Sequence, residues 1–190
     1  MNEHITLVSG LPRSGTSMMM KMLQAGGLDL LTDEIRTPDE DNPKGYFELE
    51  RVKQLKNENA WLEDARGKVV KIISQLLFDL PHTHQYKVIF MRRRLEEVLS
   101  SQKQMLLRRG TFDAEVPEEM LRATFLKHLD TVTEWLRAQG NIDVLYVSYN
   151  RMLEDAGPFV GRINVFLGGQ LDTEAMSAVV DRNLYRQRST

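Results

Sequence analysis

The residues best suited to chemistry lie near the start of the chain. Two glycines stand five positions apart in the run Gly10-Leu11-Pro12-Arg13-Ser14-Gly15-Thr16-Ser17. This spacing is typical of a phosphate-binding loop, whose backbone N–H groups surround an anion where a helix begins. Gly10 permits a tight turn, and Gly15 permits close approach of the backbone to a ligand. We therefore predict an anion-binding loop with these contact residues: Arg13, Ser14, Gly15, Thr16 and Ser17.

The cation of this loop is an arginine. Loops that bind ATP or GTP carry a lysine where this chain has Thr16, and the long cation here is Arg13, three residues earlier. The run from Pro12 to Ser17 resembles the loop P-[KR]-[SA]-G-T-[TS] of PAPS-dependent sulfotransferases at every position. It is most similar to the tyrosylprotein-sulfotransferase type and to bacterial members. The resemblance implies that the loop binds 3′-phosphoadenosine 5′-phosphosulfate (PAPS) and that 3′-phosphoadenosine 5′-phosphate (PAP) is the product.

A second cationic segment follows a later strand pattern. The apolar run Val88–Met91 leads into Arg92-Arg93-Arg94, and Ser100 comes eight residues after Arg92. An arginine fork and a serine hydroxyl are suitable donors to phosphate oxygens. In sulfotransferases an arginine and a serine at this spacing bind the 3′-phosphate, so the resemblance assigns Arg92 and Ser100 that role. Arg93 and Arg94 are alternatives for the same contact.

Two cations are candidates for the transfer chemistry. Sulfuryl transfer needs a base for the acceptor and positive charge beside the leaving phosphate oxygen. Arg13 lies in the loop, and Lys71 interrupts an apolar pattern where the family has a strand lysine. The histidine base that follows this lysine in cytosolic-type members is absent, because Ile73 stands there. Lys71 also fits a lysine that extends from an edge strand into solvent.

Glu34 is the candidate base. It stands 21 residues after Arg13, in the run Asp33-Glu34-Ile35-Arg36. In the tyrosylprotein-sulfotransferase branch a glutamate at this offset, inside an E-E-T-R motif, accepts the proton of the acceptor hydroxyl. The resemblance therefore assigns catalysis to Arg13, Glu34 and Lys71, and it gives Arg36 a role in orienting the acceptor. A solvated acidic pair beside an arginine is the alternative interpretation.

Two other functions stay open. A small-molecule kinase of the P-loop class would use ATP and hold Mg²⁺ with an aspartate at a strand end. The strand patterns here end in Met91-Arg92, Val147-Ser148 and Ile73-Ser74, so we expect no metal site. The other alternative is a non-catalytic nucleotide-binding module. For the sulfotransferase, the expected acceptor is a hydroxyl group of a small molecule or a glycan.

Composition narrows the class of protein. The chain has 190 residues, no cysteine and a formal net charge of -2, which excludes disulfides and thiolate metal sites and argues against general nucleic-acid binding. No apolar run approaches the roughly 18 residues that span a bilayer. The first residues lack the basic segment of a signal peptide. We expect a single domain over residues 1–190 in the cytoplasm, and the oligomeric state is left open.

The elements that must position these residues alternate along the chain. Apolar strand patterns occupy residues 5–9, 69–73, 86–91 and 143–147. Helical patterns occupy residues 15–25, 48–62, 94–109 and 159–167, a long stretch after Pro117 and a short one after Asp172. Strands that alternate with helices form a parallel sheet, and ligands bind outside the carboxyl ends of its strands. We therefore predict an α/β, three-layer fold like that of P-loop NTPases, with a central parallel sheet of four to five strands.

Overall fold

The computed structural model describes residues 4–33, 35 and 45–180. These residues contain a four-stranded parallel sheet of order β2-β1-β3-β4. The strands are β1 Ile5–Gly10, β2 Val69–Lys71, β3 Tyr86–Arg92 and β4 Ile142–Ser148. The α/β class and the parallel central sheet expected from the sequence are confirmed.

Helices connect the strands and cover the sheet. The α-helices are α1 Thr16–Ala25, α2 Leu95–Arg108, α3 Glu118–Ala138, α4 Tyr149–Glu154, α5 Gly157–Leu167 and α6 Thr173–Ala178. Two predicted helix starts are confirmed. Pro117 directly precedes α3, and the Asp172 carboxylate accepts a hydrogen bond from the backbone of Ala175 at 2.9 Å, which caps α6.

The predicted helix over residues 48–62 is wrong. This region contains two short 3-10 helices, Glu50–Gln54 and Ala60–Ala65, and a third, Ser74–Asp79, follows β2. Asn57 and Asn59 lie between the first two, and asparagine favours turns over helix interiors because its side chain competes for backbone hydrogen bonds. The apolar residues that suggested one helix still face the core, since they are buried in the tighter turns: Val52, Leu55 and Leu62.

Alternating side chains of the strands enter two apolar layers, one on each face of the sheet. Ile5 and Leu7 belong to the layer that also contains Trp61 and Trp135. Val8 belongs to the opposite layer, which is rich in methionine from α1: Met19, Met20 and Met22, all fully buried. The period of two along β1 therefore divides the core into a layer with both tryptophans and a layer with the methionines.

The carboxyl ends of all four strands lie at one edge of the sheet because the strands are parallel. Gly10 at the end of β1 pairs with Met91 of β3, and Val8 pairs with Lys71 at the end of β2. Arg92 pairs with Ser148, the last residue of β4. The topology therefore brings the glycine loop, the strand lysine and the arginine triplet to the same edge.

Candidate anion-binding site

Both loop glycines are enclosed by other groups. Gly10 has φ +145°, and a Cβ there would lie 2.6 Å from the carbonyl oxygen of Met91. Gly15 has φ +97° and precedes α1, and a Cβ there would lie 2.3 Å from Cδ2 of Tyr149. A side chain at either position would force its neighbours to shift, so both the space and the backbone conformation favour glycine.

Arg13 has a strained backbone with fixed partners. Its φ of 72° lies in the left-handed region, which non-glycine residues adopt at a cost of about 1–2 kcal/mol. The Arg13 Nε donates to Oγ of Ser101 on α2 at 3.0 Å. The Arg13 carbonyl oxygen accepts a hydrogen bond from Nη1 of Arg93 at 3.0 Å. The loop cation is therefore held from both its backbone and its side chain.

Hydroxyl groups line the loop at the start of α1. Ser14 is buried, and its Oγ has no hydrogen-bond partner among the described residues. An unpaired buried hydroxyl costs free energy, so the loop has a free donor for an acceptor such as a phosphate oxygen. Thr16 is also buried, and Ser17 Oγ lies 3.4 Å from Nζ of Lys71.

Lys71 reaches the loop from β2. Its side chain is 8% exposed, and its Nζ donates to the carbonyl oxygen of Tyr46 at 2.8 Å. The Glu48 carboxylate also lies close, with its Oε1 3.5 Å from Nζ and its side chain 36% exposed. The ammonium group therefore lies beside Ser17 at the edge of the loop, where the sequence expectation of a strand lysine near the site would place it.

The three arginines of the triplet have different surroundings. The guanidinium of Arg92 lies over the ring of Tyr146 at 4.1 Å, with Nη2 at 3.5 Å from Oγ1 of Thr133. Arg93 is the member that contacts the loop, through the Arg13 carbonyl. Arg94 is largely exposed. The 3′-phosphate contact, assigned to Arg92 with Arg93 and Arg94 as alternatives, stays a prediction.

Ser100, the other predicted 3′-phosphate contact, lies on α2 beside the residue that binds Arg13. It is partly buried, and its neighbour Ser101 accepts from Arg13 Nε. The structure thus brings α2 against the loop, and the role of Ser100 toward a phosphate remains a prediction.

The candidate base Glu34 and its neighbour Arg36 lie outside the described residues. The adjacent carboxylate, Asp33, accepts hydrogen bonds from the backbone N–H groups of Ile35 and Glu50. Asp33 therefore has a structural role in joining this segment to the first 3-10 helix.

A serine and a histidine form a further polar pair after β2. Ser74 is fully buried, and its Oγ lies 2.8 Å from Nε2 of His128 on α3. Burial lowers the pKa of His128 below its usual value, because the charged ring loses solvation. Ser74 directly follows Ile73, which stands where the cytosolic-type sulfotransferase pattern has a histidine.

Sequence reasoning missed a group of residues behind the loop. Glu97 is 1% exposed, and its Oε2 accepts from Nε of Arg93 at 2.9 Å. Asn150 Nδ2 lies 3.0 Å and 2.9 Å from the two Glu97 oxygens. Arg93 lies just before α2 and Glu97 lies in its first turn, so the short separation in sequence was the signal available for this contact.

Comparison with known proteins identifies the family of this chain. A family model described as a sulfotransferase domain matches residues 3–188, and the chain belongs to this family. Human sulfotransferase 2B1 is 32% identical over 107 residues, which are 52% of this chain and 29% of the human protein. The chain therefore spans less than a third of that relative's length. Within the described residues, no helix is both long and apolar enough to cross a bilayer.

Solved structures show the same fold at low identity. Sulfotransferase STF1 from Mycobacterium tuberculosis H37Rv has a TM-score of 0.62 and 19% identity, covering 94% of this chain and 71% of its own. Mouse sulfotransferase SULT7A1, solved in complex with PAP, has a TM-score of 0.56 and 18% identity, covering 95% of this chain and 63% of its own.

Proposed function

We propose that this protein is a sulfotransferase that moves a sulfuryl group from PAPS to a hydroxyl group of a small molecule or glycan. The observation that carries the proposal is the pair of cations at the loop. Arg13 lies within the loop, and Nζ of Lys71 approaches its last hydroxyl, Ser17, at 3.4 Å. Membership of the sulfotransferase domain family and the PAP bound by the mouse relative support it.

The donor set fits a nucleotide with phosphate groups. The loop offers the unpaired Ser14 hydroxyl, the hydroxyls of Thr16 and Ser17, and the N–H groups at the start of α1. PAPS, when bound, supplies the sulfuryl group and carries the 5′- and 3′-phosphates. Arg13 and Lys71 stabilise negative charge at the leaving phosphate oxygen. These contacts need no metal ion.

The acceptor hydroxyl has to lose its proton as its oxygen bonds to sulfur. Glu34 takes this proton on its carboxylate in the proposed reaction, and Arg36 orients the acceptor. Arg92 and Ser100 bind the 3′-phosphate. These assignments follow from the sequence resemblance, and each is tested by substitution.

Calorimetry with PAP and ATP tests the donor class. We expect PAP to bind more tightly than ATP, with no requirement for Mg²⁺, and Arg92→Ala to weaken PAP binding by about tenfold or more. Arg66→Ala is the matched control, because Arg66 pairs with Glu63 near the start of β1, away from the loop. Tighter binding of Mg²⁺-ATP would favour the kinase instead.

Turnover of PAPS with a panel of hydroxyl compounds tests the chemistry. Glu34→Gln should abolish transfer and leave PAP affinity nearly unchanged. Asp33→Asn is the control, because Asp33 binds backbone N–H groups and should affect stability more than turnover. Nucleotide binding without transfer to any acceptor would favour a non-catalytic module. Equal turnover in Glu34→Gln and the parent would remove Glu34 from the mechanism.

A further inference from the structure

A buried ionic network lies directly behind the anion-binding loop. Arg93 has a side chain only 8% exposed, and its guanidinium contacts a carboxylate, a backbone carbonyl and an aromatic ring among the described residues. Glu97 accepts from its Nε, the Arg13 carbonyl accepts from its Nη1, and the ring of Tyr149 lies 4.9 Å from its central carbon. Burying a charge costs free energy unless the charge is paired and hydrogen-bonded. The contacts of Arg93 offset this cost and fix the direction of its side chain.

The network meets the loop at its two most constrained residues. Arg93 binds the carbonyl of Arg13, whose φ is 72°. Tyr149, which contacts the Arg93 guanidinium, also packs closely against Gly15. Strained non-glycine residues persist only where the surroundings fix them. Arg93 and its partners supply such a fixed surrounding.

We propose that Arg93 is a positioning residue for Arg13. By holding the Arg13 carbonyl, it sets the direction of the backbone from which the catalytic guanidinium extends, and Glu97 and Asn150 lock Arg93 in turn. Asn150 also connects the network to α2, because its Oδ1 accepts from the backbone N–H of Arg94 at 3.1 Å. The catalytic consequence rests on the proposed sulfotransferase function, whereas the positioning itself does not.

An arginine is required by the geometry of the contacts. Its planar fork donates to a carboxylate and to a carbonyl in fixed directions while its flat face lies against an aromatic ring. A lysine keeps the charge opposite Glu97 but offers a single nitrogen. Arg93→Lys is therefore the variant that removes the orientation and retains the buried ion pair.

The first test is nitrogen-15 NMR of arginine side chains in the ligand-free protein. The Arg13 Nε–H, hydrogen-bonded to Ser101, is assigned by its loss in Arg13→Lys. We expect Arg93→Lys to shift this signal and to speed its solvent exchange by about tenfold or more. The control Arg66→Lys, which alters a largely exposed arginine–glutamate pair, should leave it unchanged. An unchanged Arg13 signal in Arg93→Lys would overturn the proposal.

The second test is a double-mutant cycle on transfer from PAPS. Arg93→Lys should lower kcat by about 100-fold, since small displacements of a catalytic group have effects of this size. In the Arg13→Ala background the same substitution should cost much less, because the group that it positions is absent. An equal loss in both backgrounds would overturn the proposal. Absence of transfer in the parent protein would contradict the proposed function, and the NMR measurement would then decide the positioning role.

A second variant covers the case in which Arg93→Lys does not fold. Arg93→Met combined with Glu97→Gln removes both charges together, so that no buried charge is left alone, and the glutamine keeps an acceptor for Asn150. We expect this double variant to fold and to show the same change in the Arg13 signal. A folded double variant with a parental Arg13 signal and parental kcat would overturn the proposal as well.

Discussion

The two sides of β1 hold their cations in different ways. On the β3 side, Arg93 binds Glu97, a carboxylate that is 1% exposed, and also binds the loop backbone. On the β2 side, Lys71 binds a backbone carbonyl, a hydroxyl and the partly exposed carboxylate of Glu48. The β3 side therefore has a buried arginine–glutamate pair that holds the loop backbone. The β2 side has a lysine whose ammonium group can exchange the partly exposed Glu48 carboxylate for a ligand.

This difference is what we expect if Arg93 positions the loop and Lys71 takes part in the reaction. A buried ion pair contributes little net stability but resists rearrangement, which suits the part of a site that must not move. A lysine with a weakly competing carboxylate suits the part that meets developing charge. The experiments below test whether the two sides differ as described.

The largest loss of stability and of PAP binding is expected from Gly15→Ala, because Gly15 contacts Tyr149 on the β3 side. The new methyl group would overlap the ring of Tyr149 and also occupy a left-handed backbone position. Gly27→Ala is a close control, because Gly27 has φ +98° and open space around it. We expect Gly15→Ala to lose about 1–3 kcal/mol more stability than Gly27→Ala in urea unfolding, and to lose PAP binding. Equal destabilisation would show that Tyr149 yields easily.

The next effect concerns Lys71 on the β2 side. Lys71→Met should lower kcat by about 100-fold, because it removes a cation beside the leaving phosphate oxygen. Lys87→Met is the control, since Lys87 also extends from a strand to a backbone carbonyl, that of Phe166 at 2.7 Å, but near the opposite end of the sheet. Steady-state kinetics separate the two. If both variants retained parental kcat, Lys71 would have no role in transfer.

A smaller effect distinguishes Glu48 from Glu97, because the two substitutions should change PAP affinity in opposite directions. Glu48→Gln removes a negative charge near the anion site and should tighten PAP binding by about two- to fivefold. Glu97→Gln removes the carboxylate that pairs with Arg93 and should weaken PAP binding. Glu58→Gln, in an exposed pair with Arg51, should change little. Calorimetry gives the three affinities, and a loss of affinity in Glu48→Gln would mean that Glu48 orients Lys71.

The smallest effect is on the pH dependence of stability. Burial lowers the folded-state pKa of His128, so the unfolded chain binds a proton more readily there. Stability should therefore fall as pH decreases from about 7 toward 5, by less than about 1 kcal/mol because the ring is partly exposed. In His128→Gln this slope should be shallower, and His4, whose pKa is also lowered, contributes to the slope that remains. Urea unfolding at the two pH values measures it, and identical slopes would contradict the assignment.

The sequence predicted the parts of the site that depend on local spacing. Gly10 and Gly15 indicated the loop, and the apolar pattern around Lys71 indicated a strand over residues 69–73, which in the structure already ends at Lys71. The sequence did not predict the direction of the Arg92 and Arg93 side chains. It depends on Tyr146 and Tyr149, which lie on either side of the junction between β4 and α4 and more than fifty residues away in sequence. The division of the predicted helix over residues 48–62, in contrast, had a local signal in Asn57 and Asn59, which lie between the two 3-10 helices.

The division of the core into two unlike layers has a practical consequence for spectroscopy. The chain has two tryptophans, and both belong to the same side of the sheet. Intrinsic fluorescence therefore reports on that side, whereas the methyl groups of the buried methionines provide an NMR signal from the other. Recording both during denaturation would show whether the two halves melt as one cooperative unit.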